Sequence, residues 1–332
     1  MNELPLVSII TPSYNQARYL EATIQSVLEQ EYPYLEYGVV DGGSTDASLE
    51  IIKRYADRLD WWVSEPDRGQ GDAINKGMNR AKGDIVAWLN SDDIYLPDAI
   101  HKAVEVFQNC DPGMVFGDAI TIDPHGVPLN YLRFGDWDLS DLLRFRVICQ
   151  PAVFMKRQVW EDVGGVDTRY HCMLDHHLWI RVAAQQNIHH IPDALAASRY
   201  HPQAKNVAIA VEFSREIYRV IEWMRTHPTL KDTFQKDERR ILGGAYRLSA
   251  RYLLDGDMPG QAFMDYMRAV WKWPTYALKH WHRMMFAVFS FFTGMGAENL
   301  RRKQKPLHIV HSEEWRQWPG LSLSQAKHKK SD

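Results

Sequence analysis

The chain has 332 residues, 45% of them hydrophobic, and a net charge of −3. That length accommodates a full core and about two domains, and the near-neutral charge excludes the electrostatic footprint of a general nucleic-acid binder. Three cysteines, Cys110, Cys149 and Cys172, form no C-x-x-C pair and suit reduced thiols in a cytosol-facing protein better than a disulfide framework.

Met1 to Pro5 has no basic stretch and leads directly into a strand, so no signal peptide is expected. Leu6 to Ile10 reads as that strand, and Leu20, Ile24, Val27 and Leu28 recur at helical spacing after it. Leu35 to Val40 is a second strand, closing on Asp41-Gly42-Gly43-Ser44-Thr45-Asp46. Ser44, Thr45 or Asp46 then caps a helix whose apolar face is Leu49, Ile52, Tyr55, Ala56 and Leu59. Trp61 to Val63 is a short strand, and Ile74, Met78 and Ala81 mark a helix. The run Ile85-Val86-Ala87-Trp88-Leu89 is a buried strand. Pro97 opens a helix with Ile100, Ala103, Val104 and Phe107 inward, and Met114 to Ile120 is a further strand. Alternating strands and helices predict a mostly parallel sheet flanked by helices.

Each strand end in this half carries polar residues. The first ends in Thr11-Pro12-Ser13-Tyr14-Asn15, an aromatic face with amides, and the second in Asp41, an acceptor suited to a base or ribose. Glu65-Pro66-Asp67-Arg68-Gly69-Gln70-Gly71 supplies glycines, a cation and a helix N-terminus, a suitable neighbour for phosphate. Asp92 and Asp93 follow the buried strand directly. Two adjacent acids there are costly without a positive partner, and a divalent cation carrying a diphosphate satisfies both. No G-x-G-x-x-G and no P-loop fingerprint is present.

The order of Val7 to Asn15, Val39 to Asp46, Ser64 to Gly69, Asp72-Ala73-Ile74-Asn75-Lys76-Gly77 and Leu89-Asn90-Ser91-Asp92-Asp93 resembles family 2 glycosyltransferases, in particular the bacterial colanic-acid and O-antigen type. The resemblance covers residues 5 to about 205. It implies a GT-A fold, Rossmann-like with a mostly parallel sheet, a nucleotide-sugar donor (a UDP-sugar is expected) and inversion at the anomeric carbon. It implies a donor site drawn from Thr11, Pro12, Tyr14, Asn15, Asp41, Asp67, Arg68, Asp72, Asn75 and Ser91. Asp92 is implied as the ligand of Mn²⁺ or Mg²⁺. Asn90 stands where the D-x-D element usually begins, so Asp92 carries the contact largely alone, with Asp93 structural. Some enzymes of this fold place a late histidine on the metal, which here falls on His201; the alternative is a surface-loop histidine.

Gln150 to Phe154 reads as a strand and Val163-Gly164-Gly165-Val166-Asp167 as a loop before the helix Met173-Leu174-Asp175-His176-His177-Leu178-Trp179-Ile180-Arg181. The family pattern makes Asp175 the general base. The chain departs from that pattern at Leu174 and His177, which touches the pH profile more than the role. A zinc site among His171, Cys172, Asp175, His176, His177, His189 and His190 is a rival, but its spacing fits no standard pattern, and solvated or helix-capping histidines are expected instead.

The expected organisation is a catalytic domain over 1–205, its nucleotide-sugar half about 1–120 and its acceptor half about 120–205, then a helical region over 206–332 with a basic tail. Residues 265–305 hold eight Lys or Arg against two acids, with three tryptophans around an apolar run too short to span a bilayer. Such a segment suits an interfacial helix on an anionic membrane surface, here 271–305, with Arg301-Arg302-Lys303 assisting; a helix packed on the catalytic domain is the alternative. The expected activity is transfer of a sugar to a hydroxyl of a saccharide or lipid-linked acceptor in cell-surface polysaccharide synthesis. The expected location is cytoplasmic, on the inner face of the cell membrane. A sugar-phosphate nucleotidyltransferase and a catalytically silent nucleotide-sugar-binding scaffold are the alternatives.

Overall fold

The computed structural model describes residues 4–294 and 318–322. Among these residues nine strands run in chain order as β1 (Val7–Ser13), β2 (Leu35–Asp41), β3 (Trp61–Ser64), β4 (Ile85–Trp88), β5 (Ile94–Tyr95), β6 (Met114–Ile122), β7 (Pro128–Leu132), β8 (Val153–Lys156) and β9 (Ile188–Arg199). They form one sheet in the order β3-β2-β1-β4-β8-β6-β9-β5, with β7 paired to β6. β1 to β4 are mutually parallel, as the strand–helix alternation predicts, and β6 runs parallel to β9. β8 is antiparallel to both its neighbours.

Around the sheet lie α1 (Ala17–Leu28), α2 (Ser48–Arg54), α3 (Gln70–Met78), α4 (Ala99–Cys110), α5 (Leu139–Leu143), α6 (Arg157–Asp162) and α7 (Leu174–Ala183). The C-terminal part is helical: α8 (Lys205–Ala208), α9 (Ala210–Thr226), α10 (Lys231–Asp255), α11 (Pro259–Lys272), α12 (Pro274–Ala277) and α13 (Trp281–Thr293).

Side-chain alternation along the strands builds three layers. Val7 and Ile9 of β1 and Ile85 and Ala87 of β4 pack with Leu20, Ile24, Ile100 and Val104 of α1 and α4. Ile10, Val86 and Trp88 face the other way, onto Ile74 and Met78 of α3, Leu178 and Trp179 of α7, and Ile217, Val220 and Leu248 of α9 and α10. The second layer therefore joins the C-terminal helices to the sheet in one continuous core. Each fully buried Val, Leu or Ile in it contributes about 1.5–3 kcal/mol. Close approach of α3 to β1 requires Gly77, where a Cβ would lie 2.2 Å from Ile10 Cγ2.

Four sequence expectations are corrected. Gln150 to Ala152 form a 3₁₀ turn, and the strand begins only at Val153. Pro151 accounts for this, since it lacks an N–H for the ladder. The helix after Pro97 starts at Ala99, with Asp98 left-handed before it at φ 61°. α2 stops at Arg54, and Ala56 to Arg58 turn as a 3₁₀ helix. β9 was not anticipated: its twelve residues, including Ala194, Ala196 and Ala197, are too weakly patterned to read as a strand, and pairing to β6 holds them.

Candidate functional site

Because β1 to β4 are parallel and paired in register, Ser13 lies beside Asp41, Asp41 beside Ser64, and Ile10 beside Trp88. The segments leaving these strands therefore open on one edge of the sheet, where ligands of α/β sheets bind.

In the first segment Thr11 and Pro12 are buried within β1, the Thr11 hydroxyl 2.9 Å from Tyr37 OH. Tyr14 is 58% exposed. Asn15, left-handed at φ 52°, joins the first two segments: its N–H donates to Ser44 Oγ and its Oδ1 accepts from the Thr45 N–H, both at 2.8 Å. Asp41 is fully buried, and its carboxylate accepts from the N–H groups of Gly43 and Ser44 and from the hydroxyls of Ser44 (2.5 Å) and Ser64 (2.7 Å). It shapes its own loop. Asp67 accepts from Gly69 N–H at 2.7 Å and fills the space that a side chain at Gly42 would occupy.

Arg68, Asp72 and Asn75 line a cleft of about 530 Å³ with Lys76, Asp167 and Arg181. The Arg68 guanidinium donates to Asp72 Oδ1 at 2.8 Å and holds the Asp72 carboxyl below the usual carboxylate range. Asn75 clamps the 163–167 loop: its amide donates to Val166 O (2.8 Å) and accepts from Val166 N–H (3.0 Å). Asp92, His201 and Asp175 do not line this cleft; Asp92 and His201 meet after the end of β4, and Asp175 stands on α7.

The segment after β4 is organised by Asn90. Its Oδ1 accepts from Gln70 Nε2 at 2.6 Å, and its Nδ2 donates to Asp93 Oδ2 (3.2 Å) and Gln150 Oε1 (2.8 Å). Gln150 in turn donates to Trp88 O. Ser91 is buried. Asp93 accepts from Arg199 N–H, and burial, reinforced by Asp92, pushes its carboxyl up to about 8. Asp92 keeps a fifth of its side chain exposed, and its Oδ2 lies 3.0 Å from His201 Nε2. His201 is 1% exposed, so it is not a surface-loop residue.

Asp175 stands in the first turn of α7, its Oδ1 accepting from His176 N–H at 2.7 Å. Burial pushes its carboxyl up to about 6; Glu216 adds to this and Lys205 opposes it. Lys205 donates to Gln70 Oε1 (2.6 Å) and His171 O (3.2 Å), and its charge acts on both Asp175 and Asp92. A chain of contacts, Asn90–Gln70–Lys205, thus crosses from β4 toward α7.

His176 and His177 turn inward, away from solvent. His176 stacks on Phe145 at 5.3 Å, and His177 sits between Tyr170 (4.4 Å) and Trp223 (4.2 Å) with no partner for either ring nitrogen. Burial lowers them to about 4 and about 3. His190 pairs instead with Asp118 at 2.8 Å. Among the described residues no three His, Cys, Asp or Glu gather to hold a metal. The protein offers a carboxylate and an imidazole, Asp92 and His201. That donor pair would suit a divalent ion such as Mn²⁺, which takes an imidazole beside a carboxylate more readily than Mg²⁺ does.

Gln70, Arg199, Lys205 and Glu216 escaped sequence reasoning. Gln70 stood within the loop read as a neighbour for phosphate, and Arg199 as a cation two residues before His201, but neither was given a role.

A family model described as "Glycosyl transferase family 2" matches residues 8–156. The PGL/p-HBAD biosynthesis glycosyltransferase of Mycobacterium tuberculosis is 32% identical over 176 residues, 52% of this chain and 67% of that protein. The putative teichuronic acid biosynthesis glycosyltransferase TuaG of Bacillus subtilis is 37% identical over 162 residues, 47% of this chain and 64% of that one. Among its curated relatives the chain spans from about a third (34%) to about two thirds (67%) of their length. Two solved structures share the fold. The mannosyltransferase PcManGT of Pyrobaculum calidifontis, in complex with GDP-Man and Mn²⁺, has a TM-score of 0.58 at 21% identity, covering 91% of this chain and 89% of that one. TarS 1-349 of S. aureus, in complex with UDP-GlcNAc, has a TM-score of 0.56 at 16% identity, covering 87% and 92%.

Proposed function

The chain belongs to glycosyltransferase family 2 and has the GT-A fold, and from that premise we propose an inverting transfer from a nucleotide-sugar, UDP-linked in the first instance, to an acceptor hydroxyl. The observation that supports this reading is Lys205, which is bonded to Gln70 Oε1 and His171 O and whose charge acts on both Asp175 and Asp92. Asp175 takes the proton of the acceptor hydroxyl as it attacks the anomeric carbon. Its raised affinity for protons suits a base working near neutral pH. Asp92 and His201 would hold Mn²⁺ or Mg²⁺, which would supply positive charge against the leaving diphosphate. Thr11, Pro12, Tyr14, Asn15, Asp41, Asp67, Arg68, Asp72, Asn75 and Ser91 form the donor site, with Arg68, Asp72 and Asn75 on the cleft wall and Thr11, Pro12, Asp41 and Ser91 buried. Lys205 adds a fixed positive charge near the leaving group. The names of the relatives support a saccharide or lipid-linked acceptor in cell-surface polysaccharide synthesis. Incubation with a panel of UDP- and GDP-sugars and Mn²⁺, measuring nucleoside diphosphate release, tests the reading. Pyrophosphate release from sugar phosphate and nucleoside triphosphate would favour a nucleotidyltransferase instead.

We also propose peripheral attachment to an anionic membrane on its cytoplasmic side, a compartment that suits the free thiols of Cys110, Cys149 and Cys172. Among the described residues no helix is long and apolar enough to cross a bilayer. Trp281, Met285, Phe289 and Phe292 of α13 form one exposed stripe at helical spacing, 51–79% accessible, with Trp271 nearby at 73%. From 266 to 294 the chain has Arg268, Lys272, Lys279 and Arg283 and no acid. A second copy meeting this face would set like charges together; acidic headgroups complement it. Residues 295–305 of the expected interfacial segment, with Arg301-Arg302-Lys303, lie outside the described residues.

A further inference from the structure

Glu216 is a glutamate on α9, 3% exposed, in a helix that follows the recognisable motifs. Its carboxylate accepts from three consecutive backbone N–H groups, His171, Cys172 and Met173, each at 2.8 Å. Arg219 lies farther off, at 3.9 Å. The three donors are the residues by which the chain enters α7, and Asp175 is the second residue of that helix. The Met173 N–H, at the N-cap, has no partner within the helix, those of His171 and Cys172 precede it, and a carboxylate satisfies all three together.

We infer that Glu216 is a positioning residue for the transfer reaction, fixing from the C-terminal helices the backbone that presents Asp175 to the acceptor. The inference rests on Asp175 being the base. Two further observations support it. The ammonium that faces Asp175, Lys205, is itself anchored on His171 O, within the segment that Glu216 grips. The groups acting electrostatically on or with Asp175 come from several elements: Lys205 on α8, Glu216 on α9, Tyr252 on α10, and Cys149 and Cys172 in the loops. Glu216 is the one among them that both holds the backbone before α7 and raises the affinity of Asp175 for protons.

The test uses the full chain with Mn²⁺ and whichever of UDP-N-acetylglucosamine, UDP-glucose or GDP-mannose turns over, following nucleoside diphosphate release between pH 4.5 and 9. Glu216→Gln should lower kcat by about 10–100-fold, the order expected for a misplaced catalytic group, with donor KM nearly unchanged. Its acid limb should move to lower pH, because a negative neighbour of Asp175 is gone. Glu216→Asp keeps the charge but is too short to span three N–H groups, so kcat should fall with the acid limb in place. The double variant Glu216→Gln/Asp175→Asn should be no slower than Asp175→Asn alone. Full activity and an unshifted profile in Glu216→Gln, beside a slow Asp175→Asn, overturn the inference. A fast Asp175→Asn overturns the assignment of the base itself. Circular dichroism accompanies each variant: if Glu216→Gln does not fold, Glu216→Asp decides, and if neither folds, Glu216 is a folding determinant and the positioning role is abandoned.

Discussion

His201 Nε2 lies 3.0 Å from Asp92 Oδ2, although 109 residues separate the two in sequence. The contact exists because β5, which follows Asp92 and Asp93 directly, pairs antiparallel with the end of β9. Two residues before His201, the Arg199 guanidinium donates to Asp92 O while the Arg199 N–H donates to Asp93 Oδ1, both at 2.9 Å. Asp92 is thus held by its carbonyl on one side and its carboxylate on the other, and it needs little rearrangement to meet a ligand.

Asp92→Ala should abolish Mn²⁺-dependent binding of the donor and leave the thermal midpoint close to that of the unmodified protein. The Arg199 contact to the backbone carbonyl survives the substitution, and the lost carboxylate sits in a partly open recess, not in the core. Calorimetry with MnCl₂ and UDP-N-acetylglucosamine or GDP-mannose checks this. Equal affinity in both proteins would remove Asp92 from the metal site.

Asp175→Asn should preserve donor affinity and slow turnover by roughly 10²–10⁴-fold, the usual contribution of a general base. The pH dependence has a defined sign. A carboxyl raised to about 6 is protonated below that value and cannot accept a proton, so the rate should fall as pH drops through about 6. A profile flat from pH 8 to pH 5 would contradict the assignment.

What could be read locally was read. Asp92 stands out as part of an acid pair directly after a buried run, whereas the role of Asp175 is implied only by the family pattern around it. The parallel run of β1 to β4 followed from strand–helix alternation, whereas the antiparallel pairings of β8, β7 and β5 did not. Glu216 carries no such signature. On α9 it is one more charged residue among apolar ones, and only burial against the entry to α7, 45 residues earlier, gives it a role. Lys205 likewise becomes informative only when β9 brings it to Gln70, 135 residues away. His176 and His177 misled for the opposite reason. Charged-looking side chains beside a candidate base turned out to be neutral aromatic packing.

Those two histidines give a stability prediction. Unfolded, they titrate near 6.5; folded, burial keeps them near 4 and 3. Above pH 6.5 both states are neutral there and nothing changes. As pH falls below 6.5 the unfolded chain binds protons that the folded one refuses, so stability should drop, by about 2 kcal/mol per histidine at pH 5. Urea unfolding at pH 7 and pH 5 measures the drop, and His177→Phe, which keeps the stack with Tyr170 and Trp223, should make it smaller. An unchanged drop in that variant would show that other groups govern acid sensitivity.

Co-sedimentation tests the membrane face. The full chain should pellet with vesicles rich in phosphatidylglycerol and much less with phosphatidylcholine alone, and high salt should weaken it, since each nearby Lys or Arg adds about 1 kcal/mol on an anionic leaflet. Trp281→Ser/Phe289→Ser/Phe292→Ser should stay in the supernatant without loss of fold, because all three side chains are more than half exposed. If the unmodified protein ignores the vesicles and runs as a dimer that the triple variant breaks, the stripe is a subunit interface.

Trp318 Nε1 donates to Tyr95 O at 2.7 Å, and Ser322 N–H to Gly126 O at 3.0 Å. β5, which carries Tyr95, is the terminal strand of the sheet, and Trp318 and Leu321 pack on the Ile94, Leu96 and Ile122 cluster behind it. A strand at that position presents free carbonyls and apolar side chains to any passing chain. Residues 318–322 act as its cover, supplied from 223 residues downstream. Any shortened version ending after α10 or α13 therefore uncovers a sticky edge. Such a chain is expected to self-associate for a reason unrelated to lipid, which is why substitution, not truncation, is the sound way to probe the C-terminal helices.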